Sequence, residues 1–491
     1  MTLVHRVLYP TPIESLEQYL AGSGGEGLEK ARTLSPGQLI EEIEASGLRG
    51  RGGAGFPTGR KWRTVATNRA ATEPATVVVN GAEGEPGTFK DRSILRNDPF
   101  QVIEGALIAA RAVAADRIVV ALKHSFSTEA ERVQRAVDEF VQAGIADGIQ
   151  IAVFRGPSEY LYGEETALLE TLDGRYPLPR IAPPYRRGVD EVVEHADDVA
   201  TGSGLSAHVD MAGPDRGDAP PTLVNNVETV ANVARIIARG ASWFRTEGTE
   251  QSPGTIVCTV IGSTRRAGVA EVIMGTPLRE MIDEVGGGPR PGHRIKAVLP
   301  GVSNAVIPES LLDTPLSYEA MAAIGSGLGA GGFIVFDDAD DMVAAAAGVS
   351  RFLAVESCGQ CTPCKLDGRA LSELLAGLSR SERNGAELAT IRKRVSTVAD
   401  EARCYLASQH QVVVGSILER FGPEADAHAN GSARSAEPAL VAELVDIQGD
   451  EAVVDEHHLQ KQFDWTYDDE DSGKTPADRL GEHRRPEPLA E

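Results

Sequence analysis

Three cysteines at two-residue gaps, Cys358-Gly359-Gln360-Cys361-Thr362-Pro363-Cys364, constrain this chain more than any other feature. Thiolates so close must curl around one compact site, and Cys404 lies a helical hairpin further on. Iron–sulfur clusters take four cysteine thiolates, often three local and one remote. Structural zinc more often uses two separated pairs or mixes Cys with His, and no His lies near this run. Cys358, Cys361, Cys364 and Cys404 therefore point to a [4Fe–4S] cluster, with zinc or a decayed site as alternatives. Cys258 sits in the apolar run IVCTVIG and reads as a buried structural thiol. Five cysteines so spaced do not form a secreted disulfide framework; they suit a reducing cytoplasm.

The chain has 491 residues, too many for one core, so two to four domains are expected. From Thr76 to Phe154, short apolar runs (TVVVN, Ile118 to Leu122, Ile149 to Phe154) alternate with stretches of helical period. This is the pattern of an α/β layer architecture. Residues 186–220, rich in Gly and Asp, break that pattern and read as a surface insertion. Helical period returns from Asn225 to Arg239. Short β-rich runs then mark a smaller α+β unit, and the cysteines lie in a mostly helical region. The expected division is 1–240, 241–338, 339–423, and an acidic tail at 424–491. From Gly431 to Glu491 acids outnumber bases, which suggests partial disorder, although Ala439 to Val454 has enough apolar residues to form a local element.

A net charge of −24 disfavours a nucleic-acid groove, which needs a basic stripe. No apolar run approaches the ~18 residues needed to span a bilayer, and the N-terminus has no signal-peptide stretch. The expected location is cytoplasmic, with any membrane contact made through partners.

Glycine loops supply the second chemical signal. The stretch Gly47-Leu48-Arg49-Gly50-Arg51-Gly52-Gly53-Ala54-Gly55-Phe56-Pro57-Thr58-Gly59-Arg60-Lys61-Trp62 lets backbone N–H groups approach phosphates beside fixed positive charge. It matches neither the dinucleotide fingerprint nor a Walker loop. Asn80-Gly81-Ala82-Glu83-Gly84-Glu85-Pro86-Gly87 and Tyr160-Leu161-Tyr162-Gly163-Glu164-Glu165 set paired carboxylates beside glycine. Carboxylates can accept hydrogen bonds from a ribose, an amide or a flavin ring N–H. Equally, Glu164 and Glu165 can simply open a helix and favour its dipole. Asn225-Asn226 precedes a helical stretch, as a cap or as a phosphate site.

In order along the chain, GLRGRGGAGFPTGRKW, YGEETALLETLDG, PTLVNNVETVANV and ESCGQCTPCK resemble the flavin-containing NADH-binding subunit of respiratory complex I. This 51-kDa (NuoF-like) family includes beta subunits of NAD-linked formate dehydrogenases and hydrogenases, and the match runs from about Leu39 to Gly422. The resemblance implies an α/β FMN-binding domain, then a ubiquitin-like β-grasp (α+β) domain, then a helical bundle carrying the [4Fe–4S] cluster. It implies FMN lined by Gly50, Gly52, Gly53, Lys61, Asn80, Glu83, Tyr160, Gly163, Glu164, Asn225, Asn226 and Thr229. Phe56, Glu85 and Glu165 would face NAD(H), the two carboxylates as the catalytic pair, and Tyr185 would line a cofactor. Electrons would pass between NAD(H), FMN and the cluster, and on to other redox subunits, such as a thioredoxin-like [2Fe–2S] subunit or a ferredoxin.

Several positions depart from the family pattern. Ala82 stands for an acid, Gly84 for a serine, Thr64 for an aromatic and Ala182 for a lysine, and Tyr185 changes an aromatic. Tyr405 to Gln409, after the fourth cysteine, also differ. These departures leave open an FMN/iron–sulfur module that no longer uses a pyridine nucleotide. A structural or assembly subunit is the non-enzymatic alternative.

Overall fold

The computed structural model describes residues 3–68, 74–181 and 221–480. Its first sheet has four parallel strands: β1 (Ala75–Gly81), β2 (Ala115–Lys123), β3 (Gln150–Gly156) and β4 (Thr222–Asn226). Their spatial order is β3-β2-β1-β4. Val77 and Val79 of β1 face a core shared with the helices Pro99–Val113 and Val227–Arg239, while Val78 packs with Tyr162, Leu168 and Leu169 on the opposite face. A strand covered on both sides has no polar face, which is why β1 reads as an unbroken apolar run.

The crossovers from β1 to β2 to β3 run one way, and β4 then pairs with the other edge of β1. Open α/β sheets bind ligands beyond the carboxyl ends of strands that flank such a reversal. Asn80 pairs with Asn226 there, at the ends of β1 and β4. The sequence reading takes residues 222–226 as the approach to a helix cap. They form a fourth strand as well, and Asn226 still caps the helix that follows by accepting from Glu228 N.

The second unit is a five-strand mixed sheet of β5 (Thr255–Gly262), β6 (Gly268–Ile273), β7 (Ile295–Leu299), β8 (Ile307–Pro308) and β9 (Gly332–Asp337), ordered β6-β5-β9-β7-β8. An antiparallel β5–β6 hairpin, the packed helix Leu278–Gly286, and β9 parallel to β5 give the β-grasp arrangement. The third unit packs the helices Met342–Glu356, Thr362–Ser379, Gly385–Thr397 and Tyr405–Arg420 around an aliphatic core. Among the described residues no helix is long and apolar enough to cross a membrane. The 186–220 insertion lies outside the described residues.

The described part of the tail holds more structure than the local element expected at Ala439 to Val454. Up to residue 480 it is ordered, through the helix Gly422–Ala429, the hairpin β10 (Leu444–Gln448) and β11 (Glu451–Val454), and a segment that packs back on the body. Three of its acids meet cations of the body. Glu443 pairs with Lys123, Asp446 with Arg96 at 2.7 Å, and Asp478 with Lys365 at 2.9 Å. Leu444 is fully buried against Phe89, Ile261 and Ala267. Net charge overstates disorder where the opposite charges sit elsewhere in the chain.

His410 is buried in the helical unit, with Nε2 2.7 Å from Ser350 Oγ. Burial pushes its pKa down from 6.5 to about 4, against a smaller pull from Asp367. The fold therefore holds His410 neutral, and the stability this gives is complete above the unfolded pKa and lost as pH falls through the folded one. The urea midpoint of this unit is expected to drop between pH 6.5 and about 4, and to drop less in His410→Gln.

Candidate functional site

The reversal between β1 and β4 gathers the glycine loop. Arg51 N donates to Thr229 Oγ1 at 2.8 Å, tying the loop to the first turn of the helix Val227–Arg239. Gly52 abuts Asn226, where a Cβ would fall 3.2 Å from the Asn226 Cβ, and Gly163 abuts the Ala82 carbonyl at 2.9 Å by the same measure. Trp62, fully buried, donates to Asn225 Oδ1 at 2.8 Å, and Asn80 Nδ2 donates to Gly163 O at 2.8 Å. The expected residues Gly52, Asn80, Gly163, Asn225, Asn226 and Thr229 thus meet around one strand-end edge, and Gly50 and Gly53 flank Gly52 on the loop, with Gly50 O accepting from the Tyr318 hydroxyl at 2.9 Å. Walls of bare backbone and a helix N-terminus suit a flat ring system carrying a phosphate, so the donor set fits FMN.

Beneath that edge lies a buried charge cluster that the sequence reading does not single out. Lys90 Nζ meets Asp91 at 2.7 Å, Glu228 at 3.0 Å and Asn226 Oδ1 at 3.2 Å. Burial alone would push the Lys90 pKa down, but Asp91, Glu228 and Glu83 outweigh it and hold the ammonium protonated. The lysine and its acid neighbour were visible in GAEGEPGTFKDR; nothing local says that a lysine there is buried.

The carboxylates divide. Glu83 is buried and spends both oxygens on the backbone of Asp91 and Arg92 and on the Arg92 side chain, so it caps the helix Lys90–Asn97. Glu164 caps the helix Glu165–Leu172 through Thr166 N and Ala167 N, the plainer of its two sequence readings. Glu165 pairs with Lys61 at 2.6 Å on a partly exposed face. Glu85 accepts from Val302 N at 2.7 Å and from the Tyr160 hydroxyl, and burial pushes its carboxyl above the usual range. Gly301, at φ +63°, lets this loop of the second unit come so close; a Cβ there would strike Glu85. Tyr160 OH also accepts from Gln409 Nε2 at 2.8 Å.

Gln409 belongs to the helix that Cys404 opens, and this links the two ends of the site. Cys358, Cys361, Cys364 and Cys404 line one cavity with Leu161, Pro179, Ser357 and Leu406. Burial pushes the Cys364 thiol up to about 11, and raises Cys358 and Cys404 as well, with the neighbouring cysteines adding to the effect in each case. Isolated thiols would thus stay protonated here, whereas bound iron would favour thiolates. Ser357 Oγ lies 3.3 Å from Cys364 Sγ, Arg403 N donates to Cys361 Sγ at 3.3 Å, and Gln360 Nε2 to Cys358 Sγ at 3.4 Å. Such donors to sulfur raise a cluster's reduction potential. Cys258 lies instead in β5, fully buried near Glu228. The donor set fits a four-thiolate cluster.

Phe56 is 47% exposed, with the Arg60 guanidinium 5.7 Å above its ring. Tyr185 and Ala182 lie outside the described residues.

Comparison with known proteins gives a consistent picture. Residues 43–235 match the Nuo51 FMN-binding domain, and residues 344–428 the NADH-ubiquinone oxidoreductase-F iron-sulfur binding region. The chain is 36% identical over 423 residues to a NuoF-type subunit of NADH-quinone oxidoreductase from Rhizobium meliloti, covering 84% of this chain and 94% of that one. It is 34% identical over 426 residues to the HndC subunit of the NADP-reducing hydrogenase of Solidesulfovibrio fructosivorans, covering 85% and 81%. The structure is similar to a chain of NAD+-reducing [NiFe]-hydrogenase in the H2-reduced state, with TM-score 0.72 and 28% identity over 87% of this chain and 68% of that one.

Two cysteine variants test the convergence. Cys404→Ser is expected to lose most of the iron and the broad visible absorption of the anaerobically purified protein, while Cys258→Ser keeps both. The reverse pattern would place the fourth ligand in β5.

Proposed function

Because the chain belongs to the NuoF-like family of NADH-quinone oxidoreductase subunits, electron-transfer proteins with an FMN-binding domain and a [4Fe–4S] region, we propose that it exchanges hydride with NAD(H) at the strand-end edge and passes electrons to the four-cysteine centre. FMN, when bound, supplies the conversion between a two-electron hydride and single electrons. The protein supplies distance, orientation and potential.

The observation that carries this reading is the short bonded path from one end of the site to the other. Glu85 accepts from Tyr160, Tyr160 accepts from Gln409, and Gln409 rides on the helix capped by Cys404. The backbone around Gly52, Asn226 and Thr229 would hold the FMN phosphate, and Cys358, Cys361, Cys364 and Cys404 would ligate iron. Glu85 and Glu165 would face the nicotinamide, Glu165 with its charge balanced by Lys61.

The adenine end would be weaker than the nicotinamide end. Thr64, where the family carries an aromatic, turns its hydroxyl onto Arg60 O at 2.9 Å and offers no ring. Phe56 would be the remaining aromatic surface on the described residues of that side. A redox partner, such as a thioredoxin-like [2Fe–2S] subunit or a ferredoxin, would dock near the cluster. Tyr405 and Leu366, 58% and 57% exposed and close in sequence to Cys404 and Cys364, suit such a contact.

Anaerobic titration with NADH tests the reading: the flavin absorption should bleach. No bleaching by NADH or NADPH, with prompt reduction by dithionite, would overturn nucleotide use. Phe56→Ala is expected to raise KM for NADH about tenfold, since one aromatic stack is worth roughly 1–3 kcal/mol.

A further inference from the structure

The family match of the iron–sulfur region ends at residue 428. Beyond it, a short turn at Glu456–Gln460 delivers His458 and Lys461 to the interior of the molecule. Both are buried. Lys461 Nζ lies 2.8 and 2.9 Å from the two oxygens of Glu356, and His458 Nε2 lies 3.1 Å from one of them. Arg351 fixes the segment by donating to the carbonyls of His458, Leu459 and Lys461.

Glu356 ends the helix Met342–Glu356, two residues before Cys358. It is itself buried, and its Oε2 accepts from the backbone N–H of Tyr160 at 3.1 Å. A second contact follows the same route. The His458 ring stacks on Phe352 at 5.1 Å, one turn back on that helix, and Phe352 meets the Tyr160 ring edge-on at 5.2 Å. Tyr160 is thus gripped at its backbone and at its ring, in both cases by groups that the tail braces. Its hydroxyl then donates to Glu85.

We propose that Lys461 and His458 are positioning residues for the flavin edge, acting through Glu356 and Phe352 to set the Tyr160 hydroxyl against Glu85. The proposal rests on the assignment of Tyr160 and Glu85 to the FMN and nicotinamide site. A buried carboxylate is tolerated when paired and hydrogen-bonded, and removing its partner leaves an uncompensated charge. Without Lys461, the Glu356 side chain loses the two contacts that fix its oxygens. That loss weakens its hold on the Tyr160 N–H and frees the tyrosine to shift. The segment is therefore part of the site and more than a surface strap.

The test uses the full chain with its cluster in place and FMN itself as the probe. FMN is added back to deflavinated wild type, Lys461→Met, Lys461→Arg and His458→Phe, with binding read by flavin fluorescence and by the position of the bound flavin's absorption bands. Lys461→Met is expected to weaken FMN binding about tenfold or more and to move the bands, with Lys461→Arg recovering most of both. His458→Phe, which keeps a ring on Phe352 and loses only the hydrogen bond, is expected to fall between. Wild-type affinity and bands in Lys461→Met, at full iron content, would overturn the proposal. If that variant does not accumulate, wild-type behaviour of His458→Phe would overturn it equally. A wild-type chain that takes up no FMN would overturn the functional reading, and this inference with it.

Discussion

The reversal of strand order between β1 and β4 is the constraint from which the rest of the structure follows. It leaves two parallel strands whose carboxyl ends have no crossover helix between them. Into that gap come the glycine loop from the N-terminal side, the helix that begins at Val227, and the turn that carries Tyr160. The close approaches this makes are where Gly52, against the Asn226 side chain, and Gly163, against the Ala82 carbonyl, are needed. The buried Lys90 cluster beneath the edge keeps the acids of this region compensated, so that carboxylates can stand beside the glycine loop.

From this edge the path to the cluster is built of side chains from different units. Glu85 follows β1, Val302 and Gly301 belong to the β-grasp unit, and Gln409 and Cys404 to the helical bundle. No single unit holds the complete arrangement. That distribution explains why the three units pack on one another and do not behave as beads on a string. The site is the seam.

Much of this was legible beforehand, for identifiable reasons. The four cysteines converge as their spacing implies, because three thiolates on one loop leave few places for the fourth. The α/β pattern of the first unit follows from apolar runs that are buried on both faces. What was not legible is long-range. Thr222–Asn226 hides as a strand because five residues ending in two asparagines look like a helix cap, which they also are. Glu83 and Glu164 show in the sequence only as acids beside glycine; that both oxygens of Glu83 and one of Glu164 accept from helix N-termini is set by the fold. Apart from a local element at Ala439 to Val454, the order of the tail is hidden because the partners of its acids, Lys123, Arg96 and Lys365, lie far away in sequence.

The place of Lys461 in the chain has a consequence for how the molecule is made. A ribosome emits the glycine loop, both sheets and all four cysteines before it emits the residue that braces Glu356. Until then Tyr160 has its ring and backbone supports only in part. Cofactor arriving early would meet an edge whose tyrosine is not yet seated. A polypeptide cut short after the helical bundle would present its four cysteines without the lysine that holds Glu356.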